Sequence, residues 1–174
     1  MTDLLDPPLG PEDHVDGLPD APLELVMYGD FQCPFCSAAQ PILQRVRDRL
    51  AGRLRFAFRH FPLRDVHPDA LAAAQASESA AAQGAFWDMH DALYGAGGDL
   101  GTERLIALAV GIGLDADRVR AELADGTYLA RVEADAAAGR AAGVTGTPGF
   151  FVNGRRHTGH YDAQSLIAAL EGRE

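Results

Sequence analysis

Four stretches of the chain carry the hydrophobic patterns of β-strands. Residues 22–28 form a nearly continuous apolar run, which is typical of a buried strand. Residues 53–59 alternate arginine with apolar side chains, the period of two that a strand with one buried face shows. Further along, residues 149–152 and 155–158 flank Asn153-Gly154, the strongest short signal for a β-hairpin.

Helical patterns occupy the intervals between these strands. A first helix is predicted over residues 33–51, with Pro41 inside it and Gly52 at the position where glycine ends a helix. Capping residues and glycines divide the stretch at about 67–143 into five further helices. Asp162 begins a terminal helix. The predicted order is therefore β-α-β, a helical insertion, then β-β-α, in which the first three elements form a βαβ unit.

The domain organisation follows from length and composition. A chain of 174 residues with 47% hydrophobic content can bury one substantial core, so we expect one domain over residues 22–174. Residues 1–21 are rich in proline and aspartate and show no sustained periodicity. We interpret them as a loosely ordered N-terminal segment.

Charge and hydropathy exclude two classes of partner. The net charge of −10 disfavours binding to nucleic acid or to anionic membranes. No apolar run approaches the ~20 residues that span a bilayer, so we expect no membrane insertion. Residues 1–8 lack the basic and apolar regions of a secretory signal. We therefore expect a cytoplasmic protein, or an extracytoplasmic one if a leader has been removed.

The two cysteines of the chain are separated by only two residues, in Cys33-Pro34-Phe35-Cys36. They follow the first predicted strand and begin the first predicted helix. Backbone N–H groups and the helix dipole favour negative charge at that position, so Cys33 is placed to form a thiolate. Cys36, one turn further on, can release Cys33 from a mixed disulfide. The sequence thus predicts a redox site with Cys33 as the nucleophile and the more exposed of the two sulfurs.

Two other interpretations of the cysteine pair stay open. A structural disulfide is disfavoured, because a loop of two residues constrains little chain entropy. A metal site could recruit His60 or His157, but zinc usually takes four ligands and the sequence has neither a second cysteine pair nor a His-x3–5-His motif. A module that binds copper or zinc through the cysteines is the non-enzymatic alternative.

Several local motifs resemble the DsbA-like family of thiol–disulfide oxidoreductases. Besides the cysteine motif, they are Tyr28-Gly29-Asp30-Phe31, Phe58-Arg59-His60-Phe61-Pro62-Leu63, Gln83-Gly84, Phe86-Trp87-Asp88-Met89-His90 and Gly146-Thr147-Pro148-Gly149-Phe150. The resemblance covers roughly residues 13–171. It implies an α/β, thioredoxin-like fold with a helical insertion, and an enzyme that exchanges disulfides with protein substrates.

The resemblance also implies roles for individual residues. Pro34 and Phe35 would tune the thiolate, and strong oxidants of the family carry histidine in this spacer. Thr147 and Pro148 would form a cis-proline loop that offers backbone hydrogen bonds to an extended substrate segment. The implied partners are protein or peptide thiols and disulfides, with an unidentified redox recycling partner. We expect a monomer that requires no cofactor and no metal.

One position departs from the family pattern. Many relatives carry an acidic residue six positions before the first cysteine, where it relays the proton of the resolving thiol. Here that position is Met27, which is expected to face the core. The nearest acids are Glu24 and Asp30, and Asp30 is predicted to lie exposed in a loop. The proton relay is therefore in doubt.

Overall fold

The computed structural model describes residues 3–173, within which five strands and seven helices follow one another. They are β1 His14–Asp16, β2 Leu23–Gly29, α1 Pro34–Arg49, β3 Leu54–His60, α2 Ala70–Ala81, α3 Phe86–Gly95, α4 Thr102–Gly111, α5 Ala116–Asp125, α6 Leu129–Ala141, β4 Gly149–Val152, β5 Arg155–His157 and α7 Ala163–Leu170. The predicted order, a β-α-β unit, five inserted helices and a β-β-α unit, is confirmed from β2 onward. No helix within these residues has the length and apolar content needed to cross a bilayer.

The chain divides into two compact units. Of the described residues, the first unit takes 3–29, 38–59 and 137–173, and the second takes 30–37 and 60–136. The second unit therefore combines most of the inserted helices with the short segment that carries both cysteines.

The sheet is mixed and has the strand order β1-β3-β2-β4-β5. β2 pairs antiparallel with β4, which places Met27 opposite Phe150, and β4 pairs antiparallel with β5. The predicted hairpin between β4 and β5 is confirmed. Its turn residues Asn153 and Gly154 have φ angles of 47° and 78°, and a two-residue turn that matches the strand twist requires positive φ at both positions.

The N-terminal segment has structure that its sequence pattern does not predict. Residues 14–16 form β1, which pairs antiparallel with β3. Further toward the N-terminus, the Leu5 N–H donates to the Gly154 carbonyl at 2.9 Å, and the Arg156 N–H donates to the Asp3 carbonyl at 2.8 Å. The segment is thus hydrogen-bonded to both ends of the sheet.

Arg59, near the end of β3, is hydrogen-bonded to the same N-terminal segment. Its side chain is buried, and it donates to both carboxylate oxygens of Asp13 at 2.7 and 3.0 Å. It also donates to the Pro7 carbonyl at 2.9 Å and to the Tyr28 hydroxyl oxygen at 3.1 Å. Burial alone would lower the pKa of Arg59, but the hydrogen bonds with Asp13 and Tyr28 outweigh it and raise the pKa above its usual value. A charged guanidinium therefore orders residues 7–13.

Candidate functional site

Both cysteines lie at the start of α1, in the second unit, and no disulfide joins them. The Cys33 N–H donates to the Asp30 carbonyl at 3.2 Å, and the Cys33 carbonyl accepts the first backbone hydrogen bond of the helix, from Ser37 at 3.1 Å. Cys33 therefore immediately precedes the helix, which begins one residue after its predicted start at residue 33. The sequence predicts Cys33 to be the more exposed of the two residues. The difference is small: Cys33 is 2% exposed and Cys36 is 0% exposed.

The two spacer residues face solvent. Pro34 is the first residue of α1, where its missing N–H costs no helical hydrogen bond. Phe35 is 64% exposed, an unusual position for a large apolar side chain. An exposed ring beside Cys33 can contact an incoming polypeptide.

Asp30 is buried, so its predicted exposure in a loop is wrong. Its Oδ1 accepts from the Gln32 N–H at 2.7 Å, and its Oδ2 accepts from the Leu63 N–H at 2.8 Å. The same Oδ2 lies 2.8 Å from Nδ1 of His67. The carboxylate is drawn inward because two backbone N–H groups and an imidazole would otherwise lack an acceptor. The hydrogen bond from the Gln32 N–H to the Asp30 side chain forms an Asx turn. An aspartate in the sequence is only a weak signal for such a turn.

Gln32, the residue immediately before Cys33, is held in place by three side-chain hydrogen bonds. Its amide nitrogen donates to the Asp69 carboxylate and to the Gly98 carbonyl, each at 3.1 Å. Its amide oxygen accepts from the Asp69 N–H at 2.8 Å. All three contacts lie within the second unit, so segment 30–37 is attached to the start of α2 and to the loop after α3.

Tyr94, on α3, is a site residue that the sequence does not single out. Its ring is buried, with ring centroids 5.0 Å from both Phe31 and His90. Residues 86, 90 and 94 recur at intervals of four on α3 and predict a buried helical face, but a buried face does not reveal which polar atom it carries.

The Tyr94 hydroxyl donates to the Asp30 carbonyl oxygen at 3.4 Å. Burial raises the pKa of Tyr94 well above its usual value, and its interactions with the acidic groups of Cys36, Asp30 and Cys33 raise it further. The phenol therefore stays protonated over the physiological pH range.

The histidines considered for the site have other partners. His60 is fully buried, and its Nε2 lies 2.7 Å from the Glu78 carboxylate, while its backbone N–H donates to the Asp135 carboxylate at 3.0 Å. His157 places its Nε2 2.8 Å from the His160 carbonyl oxygen.

Thr147 and Pro148 lie in the first unit, directly before β4, and the peptide bond between them is cis. Both residues are half-buried. Pro148 borders a cavity of about 340 Å³ whose wall includes Phe150, Arg156 and Tyr161. Met27, opposite Phe150 on the neighbouring strand, is fully buried, as predicted.

Comparison with known proteins adds to this geometry. Residues 10–172 match a protein family described as thioredoxin. A thioredoxin-like oxidoreductase from Silicibacter pomeroyi superposes with a TM-score of 0.84 at 25% identity, covering 98% of this chain and 95% of that one. The α-DsbA1 protein of Wolbachia pipientis superposes with a TM-score of 0.80 at 23% identity, covering 99% and 97%.

The chain also matches curated relatives in sequence. It is 44% identical over 170 residues to a protein of Salinispora arenicola named Na⁺/H⁺ antiporter NhaA 1, a match that covers 98% of this chain but 26% of the relative. The chain thus spans about a quarter of the length of such relatives. Because the family match covers nearly the whole chain and the superposed structures share its fold, the protein belongs to the thioredoxin family and has the fold of its DsbA-like members.

Proposed function

We propose that this protein is a thiol–disulfide oxidoreductase in which Cys33 and Cys36 exchange with protein or peptide substrates. The observation that carries the proposal is the placement of the two cysteines before and within the first turn of one helix. The antiporter name describes whole relatives of which this chain matches about a quarter, so we do not transfer that activity.

Reduction of a substrate proceeds in two exchanges. The Cys33 thiolate attacks one sulfur of a substrate disulfide, forms a mixed disulfide with it and expels the other substrate sulfur as a thiolate. Cys36, after losing its proton, then attacks the Cys33 sulfur and expels the remaining substrate thiolate. The products are a Cys33–Cys36 disulfide and a substrate dithiol, so two electrons pass to the substrate. The reverse sequence oxidises a substrate dithiol.

The remaining residues supply binding and tuning. Thr147 and Pro148 directly precede β4, and from the resemblance to the DsbA-like family we assign to their backbone the binding of an extended substrate segment. The exposed Phe35 ring adds apolar contact area next to Cys33. The spacer carries no positive charge to stabilise the Cys33 thiolate, so the pair should be a weaker oxidant than family members with histidine there.

The test separates the roles of the two sulfurs. Catalysed reduction of insulin by dithiothreitol should be lost in Cys33→Ser, whereas Cys36→Ser should accumulate a mixed disulfide on Cys33 that is visible by mass spectrometry. Iodoacetamide at neutral pH should label Cys33 first. Preferential labelling of Cys36 would reverse the assignment, and stoichiometric metal that survives dialysis in a protein without exchange activity would favour the metal-binding alternative.

A further inference from the structure

The cavity beside Pro148 lies wholly within the first unit and has a positively charged wall. Its volume of about 340 Å³ is at the small end of the range of ligand sites, which suits a side chain or another small group. Among the described residues that line it, Arg156 carries a permanent positive charge and none is an aspartate or a glutamate. That composition is unusual in a chain with 25 acidic residues and 15 basic ones.

The Arg156 side chain is available to a ligand. It is half-buried, and the ion pairs that form within the described part of the chain do not include it. A Cβ added at Gly143 would lie 3.1 Å from its Nη1 atom, so the guanidinium lies against the loop that follows α6. This contact restricts the side chain before a ligand arrives, which lowers the entropy cost of binding.

The neighbouring side chains leave Arg156 as the main anchor of the cavity. The Nε2 atom of His157 donates to the His160 carbonyl at 2.8 Å, so this nitrogen is already engaged. Tyr161 and Phe150 pack together with ring centroids 5.4 Å apart. The wall therefore combines one cation with an aromatic side, which suits the carboxylate and the methylene groups of an acidic side chain.

We propose that this cavity binds an acidic side chain of the protein or peptide substrate, with the Arg156 guanidinium holding its carboxylate. The inference rests on the proposed function and adds to it a substrate class, polypeptides with aspartate or glutamate close to the reacting cysteine. A segment bound along Thr147 and Pro148 would run beside the cavity, because Pro148 forms part of its wall. A guanidinium can bind both oxygens of a carboxylate at once, so the site should discriminate against the uncharged amide.

The extended conformation of such a segment restricts which substrate position can be acidic. Successive side chains of an extended chain point to opposite sides, so only alternate residues can enter the cavity. A preference for acid should therefore appear at one position near the cysteine and be absent at the immediate neighbours of that position. The net charge of −10, in contrast, would repel an acidic peptide wherever its acid stands.

The experiment uses disulfide dimers of terminally blocked peptides that differ in one residue, glutamate or glutamine, at successive positions on both sides of the cysteine. Their kcat/KM for reduction, with dithiothreitol as the final reductant, is measured in the wild type, Arg156→Gln and Arg155→Gln. Arg155 is a matched control, because it is the neighbour of Arg156 on β5, loses the same charge and does not line this cavity. Since Arg156 is half-buried, glutamate should be favoured about 5- to 20-fold at one position, between the effects of exposed and buried ion pairs.

The variants should separate the cavity from general electrostatics. Arg156→Gln should lose the preference for glutamate, Arg155→Gln should retain it, and added salt should reduce it in the wild type. Equal rates for the glutamate and glutamine peptides at every position in the wild type would overturn the inference. A preference that Arg156→Gln retains, or that Arg155→Gln loses equally, would also overturn it.

The peptide comparison in the wild type needs no variant, so it decides the inference even if Arg156→Gln does not fold. In that case Arg156→Lys provides the second measurement. Lysine keeps the charge but lacks the planar fork, so this variant should retain only part of the preference. An undiminished preference in Arg156→Lys would contradict binding of the carboxylate by the guanidinium fork.

Failure of the proposed function would give a different result. If the wild type reduces none of the peptides, disulfide exchange itself fails, and the cavity is tested with peptides in which serine replaces cysteine. Their binding is followed by NMR through the backbone N–H groups of residues 156–159. Shifts that the glutamate peptide causes and the glutamine peptide does not would support the carboxylate site, and equal shifts or none would overturn it.

Discussion

The replacement Asp30→Asn tests whether the buried carboxylate fixes the segment before Cys33. Asparagine has nearly the same shape and can still accept from the Gln32 N–H. The asparagine side chain, however, has an NH₂ group in place of the Oδ2 atom with which Asp30 accepts from both Leu63 and His67. The new NH₂ group would face the Leu63 N–H, so two donors would meet in a buried place.

The expected loss follows from these contacts. A buried N–H left without an acceptor costs about 1–3 kcal/mol, and hydrogen bonds to a charged group are worth about 1.5–3 kcal/mol each. Allowing for the bond that Gln32 retains, we expect a loss of about 2–4 kcal/mol in the free energy of unfolding. For a protein of this size that corresponds to a fall of roughly 5–15 °C in Tm.

Urea unfolding and thermal melting followed by circular dichroism would measure this loss. The matched control is Asp115→Asn, because Asp115 is an exposed aspartate that accepts from the Arg118 N–H at 3.0 Å at the start of α5. Asparagine caps a helix as well as aspartate does, so the control should lose less than about 0.5 kcal/mol. An Asp30→Asn protein as stable as the control would refute the role assigned to the carboxylate.

Three further predictions concern other parts of the molecule. Arg59→Met leaves the Asp13 carboxylate buried without its cation, so urea unfolding should show a loss of about 3–5 kcal/mol, with a smaller loss in Arg59→Lys; a loss below about 1 kcal/mol would contradict the anchoring of the N-terminal segment. Glutathione equilibration should place the potential of the cysteine pair between about −120 mV (DsbA) and −270 mV (thioredoxin), and Phe35→His should raise it; a wild-type value at or above that of DsbA would contradict the argument. The pKa of Tyr94 is raised in the folded state, so its contribution to stability is complete below the unfolded pKa of about 10 and is lost as pH rises above that value. The wild type should therefore lose more stability than Tyr94→Phe between pH ~9 and ~11. Equal losses would show that burial of the phenol does not contribute.

The secondary structure of the domain could be predicted because its signals are local. Each of these signals determines the structure of only a few neighbouring residues. They are the Asn153-Gly154 turn, the helix-capping residues Asp115 and Asp162, and the cysteine motif at a strand-to-helix junction. β1 could not be predicted in this way. It has only three residues, too few to establish a period, and it exists because it pairs with β3, whose partner residues lie 40 to 44 positions later in the chain.

The part of the candidate site that could be predicted from the residues themselves is the one that lies within a single short motif. Cys33, Cys36 and the spacer belong to four consecutive residues, but the burial of Asp30 depends on Leu63 and His67, which are 33 and 37 residues away. Tyr94 lies on a different helix from Cys36, and in sequence it resembles any core aromatic on an amphipathic helix. Contacts of this kind depend on how distant elements pack, which periodicity does not encode.

The hydrogen bonds between the N-terminal segment and β5 bear on self-association. β5 is the outermost strand at one end of the sheet, and such a strand offers unpaired N–H and C=O groups to any other extended chain. Residues 3–5 occupy that side, with Leu4 bridged to Arg155 and flanking bonds to Gly154 and Arg156. The segment thereby acts as a protective cover against intermolecular strand addition, and removing it would convert a capped edge into a template for aggregation.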